Sequence, residues 1–237
     1  MSAIYHVSAP HKVLFSGAYT VLDGHPAIVM AVPPRLHLTL FMEEVQRWPR
    51  QNPFALAVRE GLCNVLEERG MTPPSSWGQF HTSVALPTHG WGVGSSAAFT
   101  CALLMAMCQA CKLKLDPTEF FSVARKAHRL AQQGKGSGLD VAASTFGGVL
   151  CAESTGTQQD PKIESLIWPS SLQLLLIRSE DKADTREMID LYRARSPSRA
   201  KAERLALLDS IQKLKQHWSS ETTVLDALAH NAACEKA

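Results

Sequence analysis

The stretch Pro87-Thr88-His89-Gly90-Trp91-Gly92-Val93-Gly94-Ser95-Ser96-Ala97-Ala98 decides how this chain is read. It joins an extended segment to a long apolar one, and its chemistry changes at the join. Gly92 and Gly94 let the backbone turn tightly and approach a ligand closely, while Ser95 and Ser96 bring hydroxyls to the point where a helix begins. The unpaired N–H groups of a helix's first turn, with the positive end of its dipole, form a seat for an anion such as a phosphate. A serine-capped glycine turn explains a bare Gly-x-Gly-Ser-Ser equally well, so the surroundings carry the argument. The helix expected from about Ser95 to Lys112 has Ala98, Phe99, Leu103, Leu104, Met105, Met107 and Cys108 on nearly every face, which predicts burial and rigidity.

Upstream of this stretch, Ala3 to Glu43 reads as short extended runs: Ile4 to Val7, Lys12 to Ser16, Ala27 to Val32 and His37 to Phe41. Asp23-Gly24-His25-Pro26 and Pro33-Pro34 are expected as turns between them. Helical spacing takes over at Phe54, Leu56, Val58, Leu62, Val65 and Leu66 and stops at Gly70. A strand near Gln79 to Val84 then leads into the phosphate-loop candidate.

Downstream, Asp116-Pro117 gives a helix cap followed by proline at the first helical position, opening a helix to about Gln133. The run Gly134-Lys135-Gly136-Ser137-Gly138-Leu139-Asp140 places small residues around one carboxylate, as at a tight ligand-facing corner. Extended runs are expected at Gly147 to Ala152 and Leu172 to Ile177, and helix from Asp184 onward with a break at Arg195-Ser196-Pro197-Ser198. Strands with interspersed helices predict an α+β architecture, and a boundary near Pro169-Ser170-Ser171 divides it into residues 1–169 and 170–237.

Bulk properties narrow the function. A chain of 237 residues is long enough for a real core, burying about 70% of its unfolded surface. The net charge is +2 with basic residues dispersed, which gives no footprint for nucleic acid. The basic residues of the last quarter, Lys182 to Arg204, alternate with acidic ones and read as a solvated face. Cys63, Cys101, Cys108, Cys111, Cys151 and Cys234 lack metal-ligand spacing and fall mostly in helical patterns, as buried thiols of a reducing compartment do. The Cys108-x-x-Cys111 pair lies on an apolar helix, where packing outweighs redox chemistry. With no charged n-region ahead of an apolar stretch and no run long enough to span a bilayer, a soluble cytoplasmic protein without a membrane partner is expected.

Three distant segments share a theme. Transfer of a γ-phosphoryl group needs a cradle for the ATP phosphates, a metal, a cation near the developing charge and a carboxylate. Lys12, the Gly92 to Ser96 turn and Asp140 supply candidates, although a lone lysine is ordinarily a solvated surface residue and a lone aspartate a cap. Read together, Ala9-Pro10-His11-Lys12-Val13-Leu14-Phe15-Ser16-Gly17, Gly92-Val93-Gly94-Ser95-Ser96-Ala97-Ala98 and Gly136-Ser137-Gly138-Leu139-Asp140-Val141-Ala142 resemble the ordered signatures of the galactokinase, homoserine kinase, mevalonate kinase and phosphomevalonate kinase superfamily. The wording is nearest to the phosphomevalonate kinase family. Gly17-Ala18-Tyr19-Thr20-Val21-Leu22 is similar to its Gly-x-Tyr-x-Val-Leu, and Gln133-Gly134-Lys135-Gly136-Ser137-Gly138-Leu139-Asp140-Val141 to its Gln-Gly-Lys-x-Gly-Ser-Gly-Phe-Asp-Val.

The resemblance implies a two-domain small-molecule kinase fold: a ribosomal S5 domain 2-like N-terminal domain and a ferredoxin-like second domain, here incomplete. It implies ATP and Mg²⁺ as cofactors and phosphomevalonate as acceptor, with mevalonate kinase activity or a non-catalytic nucleotide-binding relative as alternatives. Gly92, Gly94, Ser95, Ser96 and Ala97 would hold the ATP phosphates, Ser96 would also approach Mg²⁺, and Lys12 and Asp140 would flank the transferred group. His11, Lys135, Ser137 and Gly138 would line the acceptor end. The superfamily's third glycine-rich motif, of the type Gly-x-Gly-Gly-Gly, has no counterpart in this sequence.

Overall fold

The computed structural model describes residues 3–18, 21, 25–42, 48, 51–84, 91–153, 160–176, 194, 205, 208–214 and 218. In chain order these form β1 (Ala3–Ser16), β2 (Pro26–Met42), α1 (Pro53–Glu68), β3 (Gln79–Val84), α2 (Ser95–Ala110), α3 (Pro117–Ala131), α4 (Leu139–Phe146), β4 (Val149–Glu153) and β5 (Lys162–Leu166). The chain divides into two compact units, one built from residues 1–12, 31–89 and 93–147 and the other from residues 13–30, 90–92 and 148–237.

The first unit is built around α2. Ala97, Ala98, Ala102 and Ala106 have no exposed surface, and neither do Leu103, Leu104 and Met107, so the helix is buried all round as its sequence predicts. Helices α1, α3 and α4 all pack on it. Local chemistry starts two of these helices. Asn52 Oδ1 accepts the N–H groups of Phe54 and Ala55 at 3.0 and 3.1 Å ahead of Pro53–Glu68. Asp116 Oδ1 accepts those of Thr118 and Glu119 at 2.8 and 2.9 Å, while Glu119 Oε2 accepts the Asp116 N–H at 3.2 Å, a reciprocal capping box. On the strand side, the second half of β2 pairs antiparallel with β3 from Leu36↔Val84 to Phe41↔Gln79.

In the second unit, Pro26–Met30 of β2 pairs antiparallel with β4, and β4 pairs with β5. Ala27, Ile28 and Val29 are fully buried there. Phe15, Trp168 and Trp218 form an aromatic cluster with ring centroids 5.5 to 6.3 Å apart, and the Trp218 indole N–H donates to the Ile167 carbonyl at 2.9 Å.

Three expectations need correction. The four short strands expected before Glu43 are two long ones, and Pro33-Pro34, with a cis peptide bond between them, lies inside β2. The β4 ladder ends at Met30 and the β3 ladder begins at Leu36, so on that side of β2 the prolines fill the gap where no N–H is required. No ladder forms over residues 172–176, where Leu175 is 80% exposed: apolar side chains favour extended backbone but do not themselves supply a strand to pair with. Strand β5 was not anticipated, because Lys-Ile-Glu-Ser-Leu offers only two apolar residues. The helical character expected beyond Asp184 lies mostly outside the described residues, apart from a segment over 208–214 that buries Ile211 and Leu214. Residues 154–159, Tyr19 and Pro87 to Gly90 also lie outside them.

Candidate active site

The N-terminus of α2 begins at Gly94, whose φ of 76° places it in the left-handed region, and no side chain caps the helix. The N–H groups of Ala97 and Ala98 both turn back to the Gly94 carbonyl at 3.1 Å. Those of Ser95 and Ser96 therefore have no partner within the helix and define its anion-attracting end. Ala97, expected among the phosphate-holding residues, is fully buried with its amide already engaged, so its part is to carry the helix rather than to donate. Gly92 is exposed, with φ 69°.

Lys12 reaches this helix end by two contacts. Its N–H donates to the Val93 carbonyl at 2.9 Å, which ties β1 to the turn before α2. Its aliphatic stem lies across Gly94: a Cβ placed there would stand 2.8 Å from Lys12 Cγ and 3.0 Å from Cε. The missing side chain at Gly94 is thus the space the lysine occupies. His11, next in line, is fully buried, and its Nδ1–H donates to the Pro34 carbonyl at 2.8 Å. The acceptor contact expected of His11 has no surface through which to act, and its ring joins β1 to β2 instead.

Asp140 occupies the first turn of α4, whose cap is Gly138 with φ 82°. Ser144, one turn further on, donates its hydroxyl to the Pro10 carbonyl at 2.9 Å, so the face of α4 that carries Asp140 is fastened to the strand that carries Lys12. On α2, Cys101 Sγ lies 3.5 Å from Thr145 Oγ1 and 3.8 Å from the Val141 carbonyl. Ser137 is half-buried, and its Oγ lies 3.5 Å from the Leu139 N–H at the start of α4. Lys135 is half-buried in the preceding loop, where its N–H bonds to the Gln132 carbonyl at 3.2 Å.

Two residues of this corner escaped the sequence reading. His128 on α3 is 3% exposed; its Nε2 lies 3.1 Å from Ser96 Oγ and 3.7 Å from Asp140 Oδ2. Arg125, one turn earlier on the same face, is 6% exposed and packs its stem on Gly138, where a Cβ would stand 2.9 Å from both Cγ and Cδ. The signal was available: Phe121, Ala124, Arg125 and His128 follow the helical period, so a guanidinium and an imidazole share the apolar face.

Cysteine chemistry is not prominent. Burial raises the Cys108 pKa to about 12 and that of Cys111 to about 11, the opposite of the lowered pKa of a reactive Cys-x-x-Cys pair. Among the described residues no helix is long and apolar enough to cross a membrane.

An uncapped helix terminus crossed by a lysine, with a carboxylate one helix away in an α+β fold, is an arrangement that attracts an anion. Comparison with known proteins makes this particular. The family model described as GHMP kinases N terminal domain matches residues 57–148, less than half of the chain, and over that stretch the chain is similar to this family. A phosphomevalonate kinase of Streptomyces sp. (strain CL190) is 30% identical over 176 residues, covering 59% of this chain and 47% of the relative. A mevalonate kinase of Thermococcus sibiricus is 28% identical over 188 residues, covering 66% and 54%. The chain thus spans about half the length of the curated relatives it matches. The crystal structure of Streptococcus pneumoniae phosphomevalonate kinase superposes with a TM-score of 0.74 at 13% identity over 98% of this chain and 78% of that one, which shows a shared α+β kinase fold.

Proposed function

We propose that this chain forms the nucleotide-binding part of a mevalonate-pathway kinase that moves the γ-phosphoryl group of ATP onto phosphomevalonate, giving diphosphomevalonate. The observation that carries the proposal is the gathering of Lys12, the open N-terminus of α2 and Asp140 within one compact unit. The names of the relatives, a phosphomevalonate kinase and a mevalonate kinase, support the pathway.

Each residue then has a task. The Ser95 and Ser96 N–H groups bind phosphate oxygens of ATP, and the Lys12 ammonium offsets charge on the migrating group. The donor set fits Mg²⁺, a hard cation that takes one or two protein oxygens and completes its shell from phosphates and water. Ser96 Oγ would be such an oxygen, and the ion would neutralise phosphate charge. Ser137, Gly138 and Lys135 line the acceptor end, where Arg125 adds a fixed cation. That charge suits an acceptor that is itself anionic.

A phosphate acceptor needs little help in losing a proton, since its second pKa is about 6. Asp140 therefore orients Lys12 and substrate rather than acting as a base. Asp140→Asn is expected to lower kcat by less than about tenfold, whereas a larger loss would assign it proton transfer. A hydroxyl acceptor such as mevalonate would need that base, and the mevalonate kinase relative keeps this reading as the second choice. The deciding experiment is a coupled ADP-release assay offering each acceptor in turn. Turnover with phosphomevalonate alone supports the proposal and turnover with mevalonate alone reverses it. Nucleotide binding without turnover on either would mark a non-catalytic relative.

A further inference from the structure

His128 is a polar side chain in an otherwise apolar position, and the mechanism above leaves it without a task. One ring nitrogen faces two oxygens, Ser96 Oγ at 3.1 Å and Asp140 Oδ2 at 3.7 Å, from helices on either side of its own. The ring also packs against Phe54, with centroids 5.3 Å apart. A buried imidazole without polar partners is costly, so these contacts account for its placement.

The arrangement differs from a Ser-His-Asp nucleophile triad. There the carboxylate holds Nδ1 while Nε2 takes the serine proton. Here both oxygens face Nε2: Ser96 Oγ lies within hydrogen-bond distance at 3.1 Å, and Asp140 Oδ2, at 3.7 Å, is an ionic neighbour whose negative charge favours a proton on Nε2. Ser96 then accepts from the imidazole rather than giving up its proton. Its second lone pair and its own O–H remain for an incoming ligand, the O–H directed as a donor to a phosphate oxygen.

We propose that His128 is a positioning residue that fixes the rotor of the Ser96 hydroxyl for phosphate binding and couples it to the Asp140 carboxylate. One buried ring on α3 thereby sets the relation between the donor-phosphate seat on α2 and the acceptor-side carboxylate on α4. The catalytic consequence rests on the kinase reading above; the Ser96–His128 hydrogen bond and the adjacent Asp140 charge do not.

The test combines two readouts on the whole chain at one pH. In protein labelled with ¹⁵N-histidine, the His128 Nε2 resonance is expected to carry a proton and to shift in both Ser96→Ala and Asp140→Asn, while the buried His11 ring stays unmoved. In kinetics, His128→Ala is expected to lower kcat about tenfold or more with the KM for ATP changed less than about threefold, the pattern for loss of an orienting partner. His128→Gln, which returns an N–H near the Nε2 position, should recover most of kcat. Ser96→Ala with His128→Ala together should be no slower than Ser96→Ala alone, within about twofold. A His128 resonance indifferent to both neighbours, or a folded His128→Ala with kcat within about twofold of wild type, overturns the proposal. Should His128→Ala not fold, the resonance and His128→Gln decide. A wild-type chain that phosphorylates neither acceptor removes the kinase reading, and the positioning role of His128 then stands or falls on the resonance.

Discussion

Gly94 meets two demands at once: a φ of 76° and no Cβ in the path of Lys12. Gly92, with φ 69° and nothing within 4 Å of where a Cβ would stand, meets only the first. Gly92→Ala and Gly94→Ala should each lose about 1–2 kcal/mol of unfolding free energy for the left-handed backbone. Only Gly94→Ala should also displace the Lys12 stem and weaken nucleotide binding beyond its neighbour's effect; equal affinities in the two variants, by calorimetry, would remove Lys12 from the phosphate seat. The buried thiols give a prediction in pH. Burial raises both Cys101 and Cys108 to about 12 from an ordinary value of 9.0, so above pH 9 the unfolded chain gives up these protons more readily than the folded one. Their contribution to stability is complete below pH 9 and declines as pH rises toward 12. Urea midpoints should fall from pH 8 to pH 10.5, with a shallower decline in Cys101→Ala. At this scale the sequence showed the glycines, Lys12 and Asp140 clearly. It hid the burial of His11 and the placement of Arg125 and His128, because an isolated polar side chain carries no record of which neighbours enclose it.

Helix α3 carries Arg125 and His128, and its start is the capping box of Asp116 and Glu119. Asp116→Ala should cost about 1 kcal/mol, within a range of about 0.5–2, measured by chemical unfolding. The Arg69–Glu119 ion pair at 2.7 Å is part-exposed and adds little. Elements that announce themselves by such local chemistry were legible. Asp116-Pro117 marked the start of α3, helical spacing from Phe54 located α1, and β3 falls at Gln79–Val84 as read. The failures share one cause. Whether Pro33-Pro34 ends a strand or bridges a gap between two ladders depends on β3 and β4, far along the chain, and β5 pairs with a β4 that is itself held by distant β2.

For the molecule as a whole, a ligand that binds only the folded state raises its stability by mass action, about 2.7 kcal/mol at 100 times Kd. A non-hydrolysable MgATP analogue at that excess should raise the thermal midpoint, and Lys12→Ala should reduce the rise at equal nucleotide concentration; an unmoved midpoint in the wild type would end the nucleotide reading. What the sequence by itself determined is a glycine-serine turn, a buried helix behind it and the α+β order of the elements around them. Backbone sign, capping and apolar period are properties of adjacent residues, so they can be read along the chain. Tertiary structure alone decided that Lys12 lies across Gly94 and that one nitrogen of His128 faces both Ser96 and Asp140. Those contacts join residues up to 82 positions apart, and they follow from how the helices and β1 are rotated and fastened in packing, which no local pattern encodes.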